Sequence, residues 1–301
     1  MKSRTPFVSI VLLAVATTAQ AAISLTPGTV IAVRGDSIAN QRTLVQLDPN
    51  TGAVLGELVV PGDPSRGLGP ICVLNGELFM AQRIDFTMNS VTRIDLSTGL
   101  AYGNSFAVPN GGLRRRGDLL VVTGGTYTEG AFDPSTGTQV AGFQQIATSA
   151  LQAPFNVPYF SPPWRGVMWN GQGFTAVFDD TLTNGAGYNA LGSARLLHFD
   201  ANFQPVQPWS PVTLQQAGFQ TSILGVDIDE FSGDVWTHHV NIFQTSAPEY
   251  LQRYNPATGQ TTSFALPFDI SLFSVVPIPA PGATSVVGLA LVFAARRRRR
   301  V

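Results

Sequence analysis

The chain has 301 residues, 44% of them hydrophobic and only 12% charged, which is enough apolar material for one large domain or two small ones and excludes a wholly disordered chain. All nineteen acidic residues lie between Asp36 and Asp269, whereas seven of the eighteen lysines and arginines sit at the two ends. The body is therefore acidic and lysine-free, which excludes nucleic-acid binding through phosphate contacts, and the single Cys72 excludes a disulfide framework or a cysteine-rich zinc site.

Residues 1–21 read as a secretory signal peptide. Lys2 and Arg4 precede an apolar run from Phe7 to Ala16, and Ala19 and Ala21 flank Gln20 as a small-x-small cleavage site. The run is too short for a helix to cross roughly 30 Å of hydrocarbon. No cysteine follows the site, so lipoprotein anchoring is excluded. Signal peptidase is the expected partner, and the mature chain is expected to begin near Ala22.

Residues 22–276 form a repeat. "TLVQLDPNTGAVLGEL" around Asp48 recurs as "SVTRIDLSTGLAYGNSF" around Asp95 and "EGAFDPSTGTQVAGF" around Asp133. It returns degraded as "ARLLHFDANFQPVQPW" around Asp200, and clearly as "YLQRYNPATGQTTSFAL" around Asn255. Each copy is an alternating run, then Asp/Asn-x-x-Thr-Gly, then a second alternating run. That is the pattern of a hairpin with a type I turn and a glycine in the left-handed position. The aspartates serve the turns by accepting from backbone amides ahead of them.

Ahead of most copies stands a second hairpin candidate, turning at Asn75-Gly76, near Gly117, at Asn170-Gly171 and near Ser232-Gly233. Two hairpins make four strands, so the expected fold is all-β: a β-propeller of five four-stranded blades, with six or seven as the alternatives. The first unit lacks an innermost strand, which "ISLFSVV", Ile270 to Val276, can supply by closing the ring from the other end. Cys72, in "PICVLNG", reads as a small buried hydrophobe. Arg114 to Arg116 read as a solvated turn. "APFNVPYFSPPWRG" and "TLTNGAGYNALGS" look like insertions on one face. Over most of its length the body resembles the quinoprotein-like and related bacterial propellers whose units carry DxxTG turns, a resemblance that implies a fold and no particular function.

No catalytic, cofactor-binding or metal-ligating set emerges from the body. His198, His238 and His239 are too few for a multi-histidine metal site and read as structural; on a strand His238 and His239 point to opposite faces. "DIDEFSGD", Asp227 to Asp234, places Phe231 where a calcium loop needs a ligand, so it reads as a turn after a half-buried strand in which Asp227 and Asp229 alternate with Val226 and Ile228. No Gly-x-Ser-x-Gly elbow and no phosphate-binding Gly-Lys pair occur. Trp169, Trp209 and Trp236 read as packing between blades. Tyr159 and Trp164, in a proline-rich loop, are the candidates for stacking on a ligand.

Residues 277–301 form the last segment. Pro277, Pro279 and Pro281 precede an apolar stretch from Ala283 to Ala295, a helix of roughly 20 Å, and Arg296, Arg297, Arg298, Arg299 and Arg300 follow. Arginines beside an apolar span stay on the cytoplasmic side and leave the body outside. This order of elements resembles the PEP-CTERM sorting signal of Gram-negative bacteria, with Ile278 standing where the family usually has glutamate. The resemblance implies recognition by an exosortase, a membrane protease-transpeptidase; the alternative is a simple C-terminal anchor. The expected function is that of an exported protein, held transiently in the inner membrane and then placed on the cell surface or in the matrix. Its non-catalytic propeller would contact polysaccharide or a surface protein, or serve structurally. The alternative is a periplasmic or surface enzyme with carboxylates in the central channel.

Overall fold

The computed structural model describes residues 22–35, 41–61, 68–123, 128–145, 164–179, 194–202, 204–212, 221–241 and 248–278. The chain enters with β1 (Val30–Arg34), β2 (Gln41–Leu47) and β3 (Val54–Pro61). Blade 2 follows as β4 (Leu68–Leu74), β5 (Glu77–Arg83), β6 (Met88–Ile94) and β7 (Ala101–Pro109). Blade 3 is β8 (Gly112–Arg116), β9 (Leu119–Thr123), β10 (Thr128–Phe132) and β11 (Gln139–Gln145). Blade 4 is β12 (Trp164–Trp169), β13 (Phe174–Asp179), β14 (Ala194–Phe199) and β15 (Pro205–Val212). Blade 5 is β16 (Thr221–Ile228), β17 (Val235–Asn241), β18 (Tyr250–Tyr254) and β19 (Thr261–Ala265), and β20 (Ile270–Val275) ends the series.

These strands form five four-stranded antiparallel sheets in a ring, a β-propeller. Blade 1 has the order β20-β1-β2-β3, so the last strand of the chain is the innermost strand of the first blade. Val30 pairs with Val275, Ile31 with Ser274 and Ala32 with Phe273. The closure expected for Ile270 to Val276 is thus the one observed. The inner strands β4, β8, β12, β16 and β20 touch their neighbours all the way round.

Why these strands are nearly continuous in apolar residues follows from the packing, because each blade is covered on both faces. Ile31 and Val33 of β1 join Ile71, Val73 and Met80 between blades 1 and 2. Val30 and Ala32, one residue out of phase, join Trp236, Leu251 and Phe264 between blades 1 and 5. Cys72 and Leu74 turn the other way from Ile71 and Val73, to meet Leu113, Leu120 and Val122 of blade 3. Cys72 is fully enclosed, as expected, and burial pushes its thiol pKa up to about 12. The thiolate is the reactive form, so a thiol reagent at pH 8 will leave Cys72 unmodified in the native protein and modify it fully in denaturant. Stoichiometric labelling of the native protein would contradict this packing.

The expected turns form. Asp48 Oδ1 accepts from the amides of Asn50 and Thr51, each at 2.9 Å, while the Gly52 amide donates to the Asp48 carbonyl at 3.0 Å. The glycines have a second reason, absent from the motif itself. Gly99, at φ 74°, lies so close to blade 1 that a Cβ would fall on the Val59 carbonyl oxygen. A Cβ at Gly137 or Gly52 would likewise strike Phe106 or Phe264 in the preceding blade. Gly99→Ala therefore combines backbone strain with a clash against an immovable carbonyl, and is expected to cost about 2–4 kcal/mol. Urea denaturation checks this; an unchanged midpoint would contradict it.

Two expectations are corrected. Arg114 to Arg116 do not form a solvated turn: they are the end of β8, and Arg115 is 5% exposed, aimed at the ring axis. The strand before "DEFSGD" is not half-buried either, since Val226, Asp227, Ile228 and Asp229 are all enclosed. An inner strand has the ring axis on one side, and the axis is here filled with protein.

The antiparallel order fixes two faces. The turns between first and second strands and those between third and fourth strands share one face, called here the turn face. The strands that flank 146–163 and 180–193 meet those segments on the opposite face; the insertions expected there lie outside the described residues, apart from Trp164 to Gly166, which begin β12. Because β20 is an inner strand and β1 a second strand, both ends of the described chain lie on the turn face. There the amides of Val276 and Gly28 donate to the carbonyls of Thr29 and Val276, each at 2.8 Å.

Candidate functional site

Two polar assemblies stand out against this apolar frame. The first fills the ring axis near the turn face. Arg115 comes from β8, Asp227 from β16 and Ser274 from β20. Asp227 Oδ2 accepts from the Val275 amide at 2.7 Å and the Ser274 hydroxyl at 3.1 Å, and Oδ1 accepts from the Ile228 amide at 2.9 Å. The Ser274 hydroxyl oxygen in turn accepts from the Val73 amide of β4 at 3.2 Å. Arg115 Nη1 donates to the Val275 carbonyl at 3.0 Å and lies 3.5 Å from Asp227 Oδ2, while Nη2 donates to the Ile228 carbonyl.

The short bonds of Asp227 go to β20, so this carboxylate primarily fastens the closing strand, and Arg115 balances its charge. Burial alone would lower the Arg115 pKa, but Asp227 and the neighbouring Asp229 and Glu230 outweigh it and hold it above the ordinary value. The Asp227 carboxylate is therefore committed to the fold. Asp229, next along, opens the β16–β17 turn: its Oδ1 accepts from the Phe231 amide at 3.0 Å and its carbonyl from Gly233 at 2.7 Å. The turn reading of this segment holds.

The second assembly is a cleft of about 700 Å³ on the turn face, between blades 4 and 5. The β12–β13 turn contributes Asn170, Gly171 and Gln172, the β16–β17 turn Glu230 to Gly233, and the β18–β19 turn Pro256 and Ala257; Trp169, Thr175, His198 and Gly117 complete the wall. The two inner turns are pressed together, since a Cβ on Gly171 would strike the Glu230 carbonyl.

A chain of hydrogen bonds sets the histidine's tautomer. Asn170 Oδ1 accepts from the amides of Gln172 at 3.1 Å and Gly173 at 2.9 Å, which turns Nδ2 toward Thr175 Oγ1 at 2.8 Å. Thr175 is 1% exposed, so its own hydroxyl hydrogen must find an acceptor inside the protein. That acceptor is His198 Nδ1, at 2.9 Å. The imidazole hydrogen consequently sits on Nε2. Burial lowers the His198 pKa, which favours the neutral ring. Across the cleft, Glu230 Oε2 accepts from the Gly117 amide at 3.0 Å, and burial raises its pKa, the Gly117 bond opposing. Among the described residues, neither His198 Nε2 nor Glu230 Oε1 has a protein partner. The Trp169 ring meets Phe174 edge-on at 5.3 Å and carries the Arg116 guanidinium at 4.7 Å.

His238 and His239 are both buried. His238 Nε2 meets Glu249 Oε2 at 2.8 Å, and His239 Nε2 meets Thr237 Oγ1 at 2.9 Å. Trp236 is buried between blades, as expected, whereas Trp169 lines the cleft and is only half-buried. Trp164 begins β12 and Trp209 lies on β15, but their side chains, like Tyr159, lie outside the described residues. So do Ala19, Ala21, Pro279 and Arg296 to Arg300. Pro277 is described, and the following Ile278 amide donates to Asp229 Oδ2 at 3.0 Å. Among the described residues no helix is long and apolar enough to cross a membrane, and no group of three or more His, Cys, Asp or Glu could hold a metal ion.

No protein-family model matches the sequence. No curated protein matches it either. Among solved structures, the chain is similar to one described as a nidogen/laminin complex, with 9% identity over 83% of this chain and 98% of that one, at a TM-score of 0.40. It is similar to a Myxococcus xanthus glutaminyl cyclase, with 14% identity over 71% and 85% of the two chains and a TM-score of 0.39. The β-propeller domain of the trilobed protease from Pyrococcus furiosus aligns with 12% identity over 79% and 68%, at a TM-score of 0.33.

Proposed function

We propose that this protein is an exported binding propeller, held transiently in the inner membrane and sorted to the cell surface or matrix by its C-terminal segment, with no catalytic role of its own. The observation that carries the reading is the exit of both described ends from one face. Thr29 and Val276 are paired there, and the amide of Ile278 is fixed to Asp229. A body tethered at that point is closed by its own β20 before the tail begins, so processing of residues 279–301 leaves every blade intact. Signal peptidase and an exosortase-like enzyme are the processing partners in this reading, with passage through the inner membrane.

The assignment of a binding rather than a catalytic role is supported by the axial carboxylate, which is committed to β20 and Arg115. Among the described residues the pair that could serve an enzyme is the cleft pair, His198 and Glu230, and the raised pKa of Glu230 is the feature that favours that second reading. Intact mass and fractionation of the protein from its own host test the proposal, beside a variant lacking Arg296 to Arg300. The expected mature chain begins at Ala22 and ends near Pro279, while the variant keeps its tail. A full tail persisting in the membrane fraction would overturn the sorting step, and a chain still carrying residues 1–21 in the cytoplasm would overturn export.

A further inference from the structure

We infer that the cleft between blades 4 and 5 binds an uncharged, polyhydroxylated ligand, a carbohydrate; this rests on the binding role proposed above and names its ligand. The cleft offers two protein atoms of opposite character. His198 Nε2–H is a donor whose direction is set by Thr175 and Asn170, and Glu230 Oε1 is an acceptor held in place through its sister oxygen on Gly117. The hydroxyls of a sugar can accept from the one and donate to the other. A ligand bearing only donors or only acceptors would leave one of the two unpaired, at a cost larger than the gain from the other.

The walls supply the complementary surface. Trp169, Phe231 and Pro256 present apolar faces, on which the C–H face of a pyranose can pack. Phe231 is 50% exposed, so its ring is open to a ligand in the cleft. Gln172 and Ser232 lie at the rim, where further hydroxyls would sit. The volume, about 700 Å³, lies within the ordinary range for small-molecule clefts, about 300–1,000 Å³.

Charge argues against an anionic ligand. Among the described residues that line the cleft, none is a cation in the state favoured by burial, since burial lowers the His198 pKa; the nearby Arg116 guanidinium lies over Trp169 and Phe174. A phosphate, sulfate or uronate would face Glu230 with no cation among the described lining residues to balance it. A metal-bridged ligand is likewise unsupported, because Glu230 is the only carboxylate lining the cleft among the described residues.

The test uses the full chain, purified in a sugar-free detergent and titrated with cello-, malto-, manno- and N-acetylchitotetraose, with polygalacturonate as the acidic counterpart. Indole fluorescence and calorimetry read binding. At least one neutral tetrasaccharide is expected to bind, and His198→Ala or Trp169→Ala to weaken it at least tenfold. Gln172→Trp, which fills the cleft from an exposed turn, is expected to abolish binding without shifting the melting temperature. Phe86→Ala, on the opposite face, is expected to change nothing. Binding that survives Gln172→Trp, binding of polygalacturonate in place of the neutral sugars, or no binding by any of the four sugars to the folded chain would overturn the inference. If His198→Ala or Trp169→Ala fails to fold, Gln172→Trp decides alone. Because the assay reads the purified chain, its failure is separate from a failure of export or tail processing, which the mass measurement judges.

Discussion

Asp227→Asn, nearly isosteric, is expected to destabilise the protein by about 3–5 kcal/mol, the usual cost of breaking a fully buried ionic contact from one side. Both carboxylate oxygens accept: Oδ1 from the Ile228 amide, Oδ2 from the Val275 amide and the Ser274 hydroxyl. An amide has one acceptor oxygen, so whichever way it turns, an NH2 group faces a backbone donor. The exchange also leaves the Arg115 guanidinium, 5% exposed, without its counter-charge. Arg115→Met should cost less than Asp227→Asn. The carboxylate it strands keeps three donors of its own, whereas the amide loses both charge and acceptors. Chemical denaturation of the two variants checks the order. Equal, small effects would mean that the axial cluster is incidental to closure.

Ending the chain after Asp269 is expected to have the larger effect and to abolish cooperative unfolding, while ending it after Ile278 should leave the melting transition in place. The shorter chain loses β20, whose Ile270, Phe273 and Val275, with Val276 just beyond, are at most 5% exposed. Each such side chain contributes roughly 1.5–3 kcal/mol on burial. Four of them approach the whole stability of a typical domain, about 5–15 kcal/mol. The deletion further exposes one edge of β1 and strips Asp227 of two of its donors. Circular dichroism and calorimetry on the two truncations decide the matter. A folded, cooperative chain ending at Asp269 would contradict closure by β20.

The blades were legible in the sequence because their signal is local. A turn such as Asp48 to Gly52 carries its own acceptor, its own donors and its own glycine within five residues, and repeats around the ring. The closure by β20 was legible for a different reason: the first unit was one strand short, and a single unassigned apolar run remained. What escaped were contacts between blades. Arg115 reads as part of a charged run, and only its meeting with Asp227, 112 positions away, makes it a buried axial group. The second constraint on Gly99, the carbonyl of Val59, lies in another blade.

The cleft was illegible for the same reason. Nothing around His198 marks it, because Thr175 and Asn170, which fix its tautomer, precede it by a whole hairpin. Glu230 sits in "DEFSGD", where the turn pattern accounts for its neighbours and gives no sign that its own side chain faces a cavity. Sequence drew attention to Tyr159 and Trp164 instead, since an aromatic in a proline-rich stretch is conspicuous. The half-buried Trp169, two residues before a glycine turn, looks like any packing residue of a blade.

The measurement that bears most directly on the account is cysteine labelling of whole host cells with a membrane-impermeant maleimide. Cys72 is buried and contributes little background, so Gln172→Cys on the turn face can be compared with Phe86→Cys on the opposite face. Ile278 lies one step from the expected processed end near Pro279, and five steps, at most about 18 Å, from the apolar stretch that begins at Ala283, so the turn face stays close to whatever holds the chain before or after processing. Rapid labelling at position 86 and protection at position 172 are expected in the retained protein, with both labelled equally in a variant whose chain ends at Ile278 and so lacks the sorting segment. Equal labelling of the two positions in the retained protein would contradict a propeller held by its turn face.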